Sequence, residues 1–183
     1  MVRAMKRILI FGLSAIAVIA LTLGGYETVK TVSSIQYFDI IRKVKRENGW
    51  DFIPDELTLA TIETESTFDP EAVKTEYPIN GSEQLFKDAS VGLMQVLYST
   101  AVWLGFKGDI WDLQDPETGI KWGTAYQVYL WKKYKDWDAV IHAYNEGPGN
   151  YDSGERVPTY YGRVVARMAK WSILLKAEGN ISA

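Results

Sequence analysis

The hydrophobic pattern of the chain begins with an apolar run from residue 8 to residue 25, interrupted only by Ser14 and Thr22. Three basic residues and no acidic residue precede this run. A basic start followed by an apolar run is typical of a secretory signal or a signal anchor, and the run is at the lower edge of the ~20 residues that a membrane-spanning helix needs. We therefore expect residues 1–25 to direct the rest of the chain out of the cytoplasm. The small-residue sequence Ala15–Ile16–Ala17 lies inside the run, so the pattern leaves open whether the segment is cleaved or stays as an anchor.

Beyond this segment, apolar residues recur at helical spacing. Every third or fourth residue is apolar between Ser34 and Glu47, which predicts a helix that ends at Asn48–Gly49. A second helix is predicted from about Ile53–Glu56, where a proline suits the first turn and the acids favour the positive end of the helix. It should stop at Phe68–Asp69–Pro70. Glu65 then falls beside the apolar stripe, near the C-terminal end of this helix.

The remaining pattern predicts four more helices and one polar loop, at residues 75–88. The helices are expected at about Gly92–Leu104, from Asp115–Pro116 to about Tyr134, at Ala139–Tyr144 with a stop at Gly147–Pro148–Gly149, and from about Pro158 onwards. No segment shows a convincing two-residue alternation. We therefore predict a mainly α fold that is preceded by an N-terminal hydrophobic helix.

Composition favours one packed domain outside the hydrophobic run. Aromatic residues make up 13% of the 183 residues, with 7 Trp and 11 Tyr, whereas disordered chains lack such residues. The net charge of -3 argues against nucleic acid as a partner, because that binding depends on neutralising phosphates. The chain has no cysteine and one histidine, His142. This excludes disulfides and a thiol nucleophile, and it argues against a Ser–His–Asp triad or a histidine-rich metal site.

Glu65 is the first candidate for acid–base chemistry. A carboxylic acid stays protonated near neutral pH when its surroundings are apolar, and a buried glutamate without a function is uncommon. The spacing alone is equally compatible with a solvated acid at the end of a helix.

Three short motifs occur in order along the chain. They are Glu65–Ser66–Thr67–Phe68–Asp69–Pro70, Gly92–Leu93–Met94–Gln95 and Ala143–Tyr144–Asn145–Glu146–Gly147–Pro148–Gly149. Together they resemble the soluble lytic transglycosylase family, the goose-lysozyme-like group of the lysozyme superfamily, over about residues 53–166. The resemblance implies a lysozyme-like catalytic domain that cuts peptidoglycan.

In that family the glutamate of the Glu–Ser pair is the sole catalytic acid and base, which implies this role for Glu65. The substrate-binding residues that the resemblance implies are Ser66, Met94, Gln95, Tyr144, Asn145 and Tyr160. Met94 would form an apolar wall of the sugar groove, Gln95 would be an amide donor and acceptor for N-acetyl groups, and Tyr160 would place its hydroxyl near the active carboxyl. Without the resemblance, Met94 and Tyr160 read as core residues, and Tyr144 with Asn145 as a plain helix exit.

Two positions depart from the family pattern. The family commonly has a serine about nine residues after the glutamate, whereas here the count gives Lys74, a cation that would favour the carboxylate and oppose its role as an acid. Thr75, Ser82 and Ser90 are the candidates to replace that serine. Glu146 stands where the family usually has a small residue, and we expect it to alter which sugars are held.

The predicted reaction is cleavage of the β-1,4 bond between N-acetylmuramic acid and N-acetylglucosamine, with formation of 1,6-anhydromuramic ends. No second carboxylate is evident at the spacing that a nucleophile or a water-activating base requires, which suits a substrate-assisted route. Neither a metal nor a cofactor is needed. The alternatives are a goose-type lysozyme-like hydrolase or chitinase, in which water attacks, and a non-catalytic wall-binding assembly factor.

These expectations also define the layout and the setting of the chain. Residues 1–25 are predicted as a signal peptide or signal anchor, 26–49 as a connecting helix, 50–175 as the lysozyme-like transglycosylase domain, and 176–183 as a tail. The expected partners are peptidoglycan glycan strands and, through residues 8–25, a membrane, but no nucleic acid. The catalytic domain is expected on the periplasmic or cell-surface side.

Overall fold

The computed structural model describes residues 25–75 and 89–181, with the side chains of residues 36–75 and 89–177. This part contains seven α-helices, a 3-10 helix and three short strands. In chain order they are α1 Gly25–Asn48, α2 Asp55–Glu65, β1 Val73–Thr75, β2 Ala89–Val91, β3 Val96–Leu97, α3 Tyr98–Leu104, the 3-10 helix Ile110–Gln114, α4 Pro116–Tyr134, α5 Trp137–Glu146, α6 Pro148–Asp152 and α7 Pro158–Ile181. The prediction of a mainly α fold is confirmed.

Several predictions concern residues outside the described part of the chain. The apolar run at residues 8–24 is one of them, and most of the loop predicted at 75–88, with Ser82, is another. Across residues 25–75 and 89–181, no helix combines the length and the apolar character that crossing a membrane requires. Helix α7 continues through the predicted domain boundary at residue 175.

Local capping explains where the central helices begin. Helix α4 starts at the predicted pair, because the Asp115 carboxylate accepts the backbone N–H of Thr118 at 2.9 Å and Pro116 occupies the first turn. Helix α5 starts slightly earlier than predicted, at Trp137, because the side chain of Asp136 caps it. Capping side chains therefore fix the start of α4 and the start of α5, the helix that carries most of the third motif.

The core lies between α1, α2, α4, α5 and α7. The predicted stripe of α1 is buried in it, at Phe38, Ile41 and Val44. A buried lysine, Lys45, also ties α1 to the start of α2, since its Nζ donates to the backbone oxygen of Ile53 at 3.0 Å and forms an ion pair with a carboxylate in the first turn of α2. Burial lowers the pKa of Lys45. Helix α2 packs along α7, and this pairing positions the C-terminal end of α2.

A small antiparallel sheet, in the order β1-β2-β3, corrects two predictions. Strands are present where none was expected, and the helix predicted over 92–104 begins only at Tyr98. The strands contain two or three residues each, too few for an alternation to be visible in the sequence. Gly92 and Gln95 have positive φ, at 76° and 47°, so this segment is a turn between β2 and β3. A side chain at Gly92 would meet the backbone oxygen of Leu113 at 2.2 Å, which is why a glycine stands there.

Candidate active site

A cavity of about 460 Å³ lies between the end of α2, the sheet, α4 and the end of α5. Its volume is in the range of small-molecule sites. The residues in its wall include Glu65, Lys74, Ser90, Gln95, Tyr126, Tyr144, Asn145, Glu146, Glu155 and Val157. The cavity therefore brings together residues from all three sequence motifs.

Glu65 is the last residue of α2, and its side chain is partly buried in the cavity wall. Its Oε1 accepts a hydrogen bond of 2.6 Å from the hydroxyl of Tyr160. Tyr160 belongs to α7 and is only 3% exposed, so the packing of α7 along α2 determines this contact. The structure places the hydroxyl of Tyr160 against the carboxyl that the sequence singled out.

Tyr144, which is partly buried, and Tyr160, which is buried, both place phenol groups beside Glu65. Burial raises the pKa of each well above its usual value, and the charge of Glu65 raises it further. Both hydroxyls consequently stay protonated at neutral pH and act as donors. The hydroxyl of Tyr144 donates to the backbone oxygen of Met94 at 2.9 Å, which joins the third motif to the second.

Gln95 lies in the cavity wall with its amide nitrogen already occupied. The nitrogen donates to the backbone oxygens of Ala72 at 2.8 Å and Gly92 at 3.0 Å. A primary amide has two N–H donors, so both are used within the protein. We expected Gln95 to be a donor and an acceptor for sugars, whereas this geometry leaves the side-chain oxygen, an acceptor, for the cavity.

Three of the residues predicted to bind substrate are not in the cavity wall: Ser66, Met94 and Tyr160, which contacts the carboxyl of Glu65 from behind that wall. The hydroxyl of Ser66 donates to the backbone oxygen of Leu93 at 2.8 Å and so joins the first motif to the second. Met94, which we expected as an apolar wall of the groove, is fully buried in the core. It occupies the space above Gly123 in α4, where a Cβ would lie 2.5 Å from the sulfur of Met94. The missing side chain at Gly123 is thus what allows Met94 to pack inward.

The sheet contributes Lys74 and Ser90 to the cavity. The two residues are direct partners across β1 and β2, and both lie in the cavity wall. Ser90 is nearly buried, whereas Lys74 is exposed. Of the three hydroxyl residues considered as substitutes for the family serine, Ser90 is the one found in the wall of this cavity among the described residues.

Glu146 is a second carboxyl group in the same wall, and its side chain is only 2% exposed. Its Oε1 accepts the backbone N–H of Val157 and lies 3.2 Å from Nδ1 of His142. Its Oε2 is buried without a hydrogen-bond partner among the residues that the structure describes. Glu146, which we expected to alter which sugars are held, thus lies in the wall of the same cavity as Glu65.

Other residues of the wall were not singled out as site residues. Tyr126 contributes from α4, and Glu155 and Val157 contribute from the segment that follows α6. This segment reaches the cavity because the backbone N–H of Val157 donates to the carboxylate of Glu146. The two residues are 11 positions apart in the sequence, and no local pattern indicates this contact. Among the described residues, no group of three or more His, Cys, Asp or Glu is placed to hold a metal ion.

Comparison with known proteins shows the family of the chain. The transglycosylase SLT domain family matches residues 43–158. This chain belongs to that family. Its sequence is 31% identical over 135 residues to membrane-bound lytic murein transglycosylase C of Serratia proteamaculans (strain 568). The match covers 63% of this chain and 32% of that protein. The chain is 34% identical over 132 residues to the protein of the same name from Edwardsiella ictaluri (strain 93-146), with the same shares covered.

The SLT-family chain thus spans about a third of the length of these curated relatives. Among solved structures, the 70 kDa soluble lytic transglycosylase of Escherichia coli matches with a TM-score of 0.52 and 23% identity, over 84% of this chain and 24% of that one. A complex of the 70-kDa soluble lytic transglycosylase with bulgecin A matches with a TM-score of 0.51 and 24% identity, over 78% and 21%. This likeness confirms the predicted lysozyme-like fold.

Proposed function

We propose that this chain is a peptidoglycan lytic transglycosylase with Glu65 as its catalytic acid and base. The reaction is cleavage of the β-1,4 bond between N-acetylmuramic acid and N-acetylglucosamine, with formation of 1,6-anhydromuramic ends. The observation that carries the proposal is the partly buried Glu65 carboxyl in a cavity wall, held by the hydroxyl of Tyr160 at 2.6 Å. Membership of the SLT family supports the reaction class.

The proposed reaction has two proton transfers at one carboxyl group. Glu65 first gives its proton to the bridging oxygen, the C1–oxygen bond of the muramic residue breaks, and that sugar's acetamido oxygen bonds to C1. The carboxylate of Glu65 then takes the proton of the 6-hydroxyl, whose oxygen attacks C1 and displaces the acetamido oxygen. The hydroxyl of Tyr160 supports this cycle, because a donor hydrogen bond stabilises the carboxylate between the two transfers.

The other polar groups of the cavity are proposed to hold the sugars. The side-chain oxygen of Gln95 is suited to accept from an N-acetyl N–H, since its nitrogen is already bonded. Asn145 is exposed at the cavity, and its amide can donate and accept. Ser66 and Met94 are proposed to act indirectly, because both position the turn that carries Gln95.

Replacing Glu65 with Gln tests the proposal directly. An amide cannot give or take the proton, so release of muropeptides from purified peptidoglycan should fall at least about 100-fold. Glu63→Gln is the matched control, because Glu63 lies in the same helix but bonds to α7 instead of lining the cavity. It should retain activity. Undiminished cleavage by the Glu65→Gln chain would show that another group performs the chemistry.

A hydrolase is the second candidate, and the position of Glu146 and Glu155 in the cavity wall favours it. A second carboxylate can activate water in a two-carboxylate mechanism. Mass spectrometry of the released muropeptides separates the two reactions, since hydrolysis leaves reducing ends and the proposed reaction leaves anhydro ends. Reducing ends alone would replace the transglycosylase with a hydrolase.

We also propose that the catalytic domain works outside the cytoplasm, delivered by residues 1–25 as a signal or an anchor. The basic start and the apolar run of the sequence support this. Cell fractionation with detection of a C-terminal tag should place the chain in the membrane fraction if the segment is retained, and in a soluble exported fraction if it is cleaved. Recovery in the cytosol would contradict both.

A further inference from the structure

The first turn of helix α7 follows an exposed segment of the chain. Residues 152–159 are all exposed, whereas the next residue, Tyr160, is buried and donates its hydroxyl to Glu65. Because α7 begins at Pro158, Tyr160 lies within its first turn. The position of the hydroxyl at Glu65 therefore depends on the contacts that fix the start of this helix.

Val157 occupies the N-cap position of α7. Its backbone oxygen accepts the N–H groups of Tyr160 at 3.1 Å and Tyr161 at 3.2 Å, which closes the first turn. Valine is a poor N-cap residue, because its side chain offers no acceptor for the free N–H groups of the helix. The start of α7 is instead bonded to α5, since the backbone N–H of Val157 donates to Oε1 of Glu146.

This contact reproduces one half of a capping box with a side chain from another helix. In a capping box, a glutamate or glutamine at the third position of the helix accepts the N–H of the N-cap residue. The third position of α7 is Tyr160, whose hydroxyl is used at the carboxyl of Glu65. A carboxylate at a helix N-terminus is also favoured by the helix dipole. Glu146 thus supplies the cap that a tyrosine at this position does not.

The carboxylate of Glu146 is itself held in place. Its side chain is 2% exposed, and Oε1 lies 3.2 Å from Nδ1 of His142, one turn earlier on α5. The ring of His142 stacks on that of Tyr161, with centroids 4.6 Å apart and an angle of 3°. The hydroxyl of Tyr161 donates to Asp138 of α5 at 2.9 Å. Three contacts therefore join α5 to the start of α7, and the bond from Glu146 is the one made to the N-cap residue.

We propose that Glu146 is a positioning residue for the reaction. It fixes the first turn of α7 and thereby the hydroxyl of Tyr160 at Glu65. The inference rests on the proposed function and adds to it a residue that acts without moving a proton. Because the bond to Val157 needs only an acceptor, the reaction should depend on a side-chain oxygen at position 146 more than on its charge.

The test measures kcat and KM of the full chain for release of muropeptides from solubilised peptidoglycan, with thermal unfolding in parallel. Glu146→Ala removes the acceptor and should lower kcat about 10-fold, because a small misplacement of a catalytic contact is costly. KM should stay within about twofold, as expected when the lost interaction is made only in the transition state. Glu146→Gln keeps an oxygen for the N–H of Val157 and should recover most of the lost kcat.

A double-mutant cycle identifies the hydroxyl through which Glu146 acts. In the Tyr160→Phe chain that hydroxyl is absent, so adding Glu146→Ala should lower kcat by less than about twofold further. Asp138→Ala is the matched control, because it removes another carboxylate of α5 that accepts from α7, outside the cavity. That variant should keep kcat within about twofold, as expected for an exposed contact.

Two outcomes would overturn the positioning role while leaving the proposed function intact. Equal losses of kcat for Glu146→Ala and Glu146→Gln would show that the carboxylate itself takes part in the chemistry. Equal effects of Glu146→Ala with and without the hydroxyl of Tyr160 would show that Glu146 does not act through it. If Glu146→Ala does not fold, Glu146→Gln decides alone, since a kcat close to that of the natural chain supports the role and a loss of about 10-fold overturns it. Full activity of the Glu65→Gln chain would remove the proposed function and the positioning role together.

Discussion

Replacing Tyr160 with Phe removes one hydroxyl group and keeps the ring that fills the core. The hydroxyl donates to Oε1 of Glu65 at 2.6 Å from a position that is 3% exposed, so water does not easily replace it. Hydrogen bonds to charged groups contribute about 1.5–3 kcal/mol. Tenfold in rate corresponds to about 1.4 kcal/mol, so Tyr160→Phe should lower kcat/KM about 10- to 150-fold if the bond stabilises the carboxylate during the reaction.

The assay is the initial rate of muropeptide release from purified peptidoglycan, with thermal unfolding measured in parallel. Tyr161→Phe is the matched control, because the neighbouring hydroxyl donates to Asp138 at 2.9 Å, outside the cavity. That variant should keep its rate within about twofold, as expected for an exposed bond. The reasoning is refuted if Tyr160→Phe is as active as Tyr161→Phe, or if its loss of rate is fully explained by unfolding.

Two further predictions concern stability. Burial raises the pKa of Tyr144 and Tyr160 well above the usual value, so their contribution to folding is complete below about pH 10 and is lost as the pH rises through the raised values. The Tyr144→Phe, Tyr160→Phe double variant should therefore lose less thermal stability in alkali than the natural chain. An equal loss would show that these two phenols are not the cause. Gly92→Ala should lower the free energy of unfolding by at least about 1–2 kcal/mol, because alanine is strained at positive φ and its Cβ would meet a backbone oxygen at 2.2 Å. Gly149→Ala, with open space around it, should cost much less in the same urea titration, and similar losses for both would show that the close contact is not what matters.

Helices and their ends could be predicted from the sequence because their signals are local. The pair Asp115–Pro116 caps α4 through contacts within one turn, and the acids at the start of α2 lie where its dipole favours them. The local pattern placed Glu65 beside an apolar stripe but was equally compatible with a solvated acid, and the resemblance carried by three ordered motifs singled it out. The position of Tyr160 followed only from the resemblance, since no local pattern pairs it with Glu65.

The turn between β2 and β3 could not be predicted, because its causes are distant in sequence. Gly92 is required by the backbone of Leu113, and Met94 turns into the core because Gly123 leaves room for it. The side-chain nitrogen of Gln95 donates to the backbone oxygen of Ala72, which lies 23 residues earlier in the sequence. Periodicity describes one element at a time, so it assigned this turn to a helix, whereas the expectation that Met94 lines the groove came from the family resemblance.

The hydrogen bonds of this turn link the three motifs into one unit. Leu93 offers its backbone oxygen to Ser66 from the first motif, and Met94 offers its own to Tyr144 from the third. A hydroxyl lost from either side would release one anchor of the turn that carries Gln95. Anyone who transplants this active site into another scaffold should therefore move the serine, the turn and the tyrosine together, because each sets the position of the others.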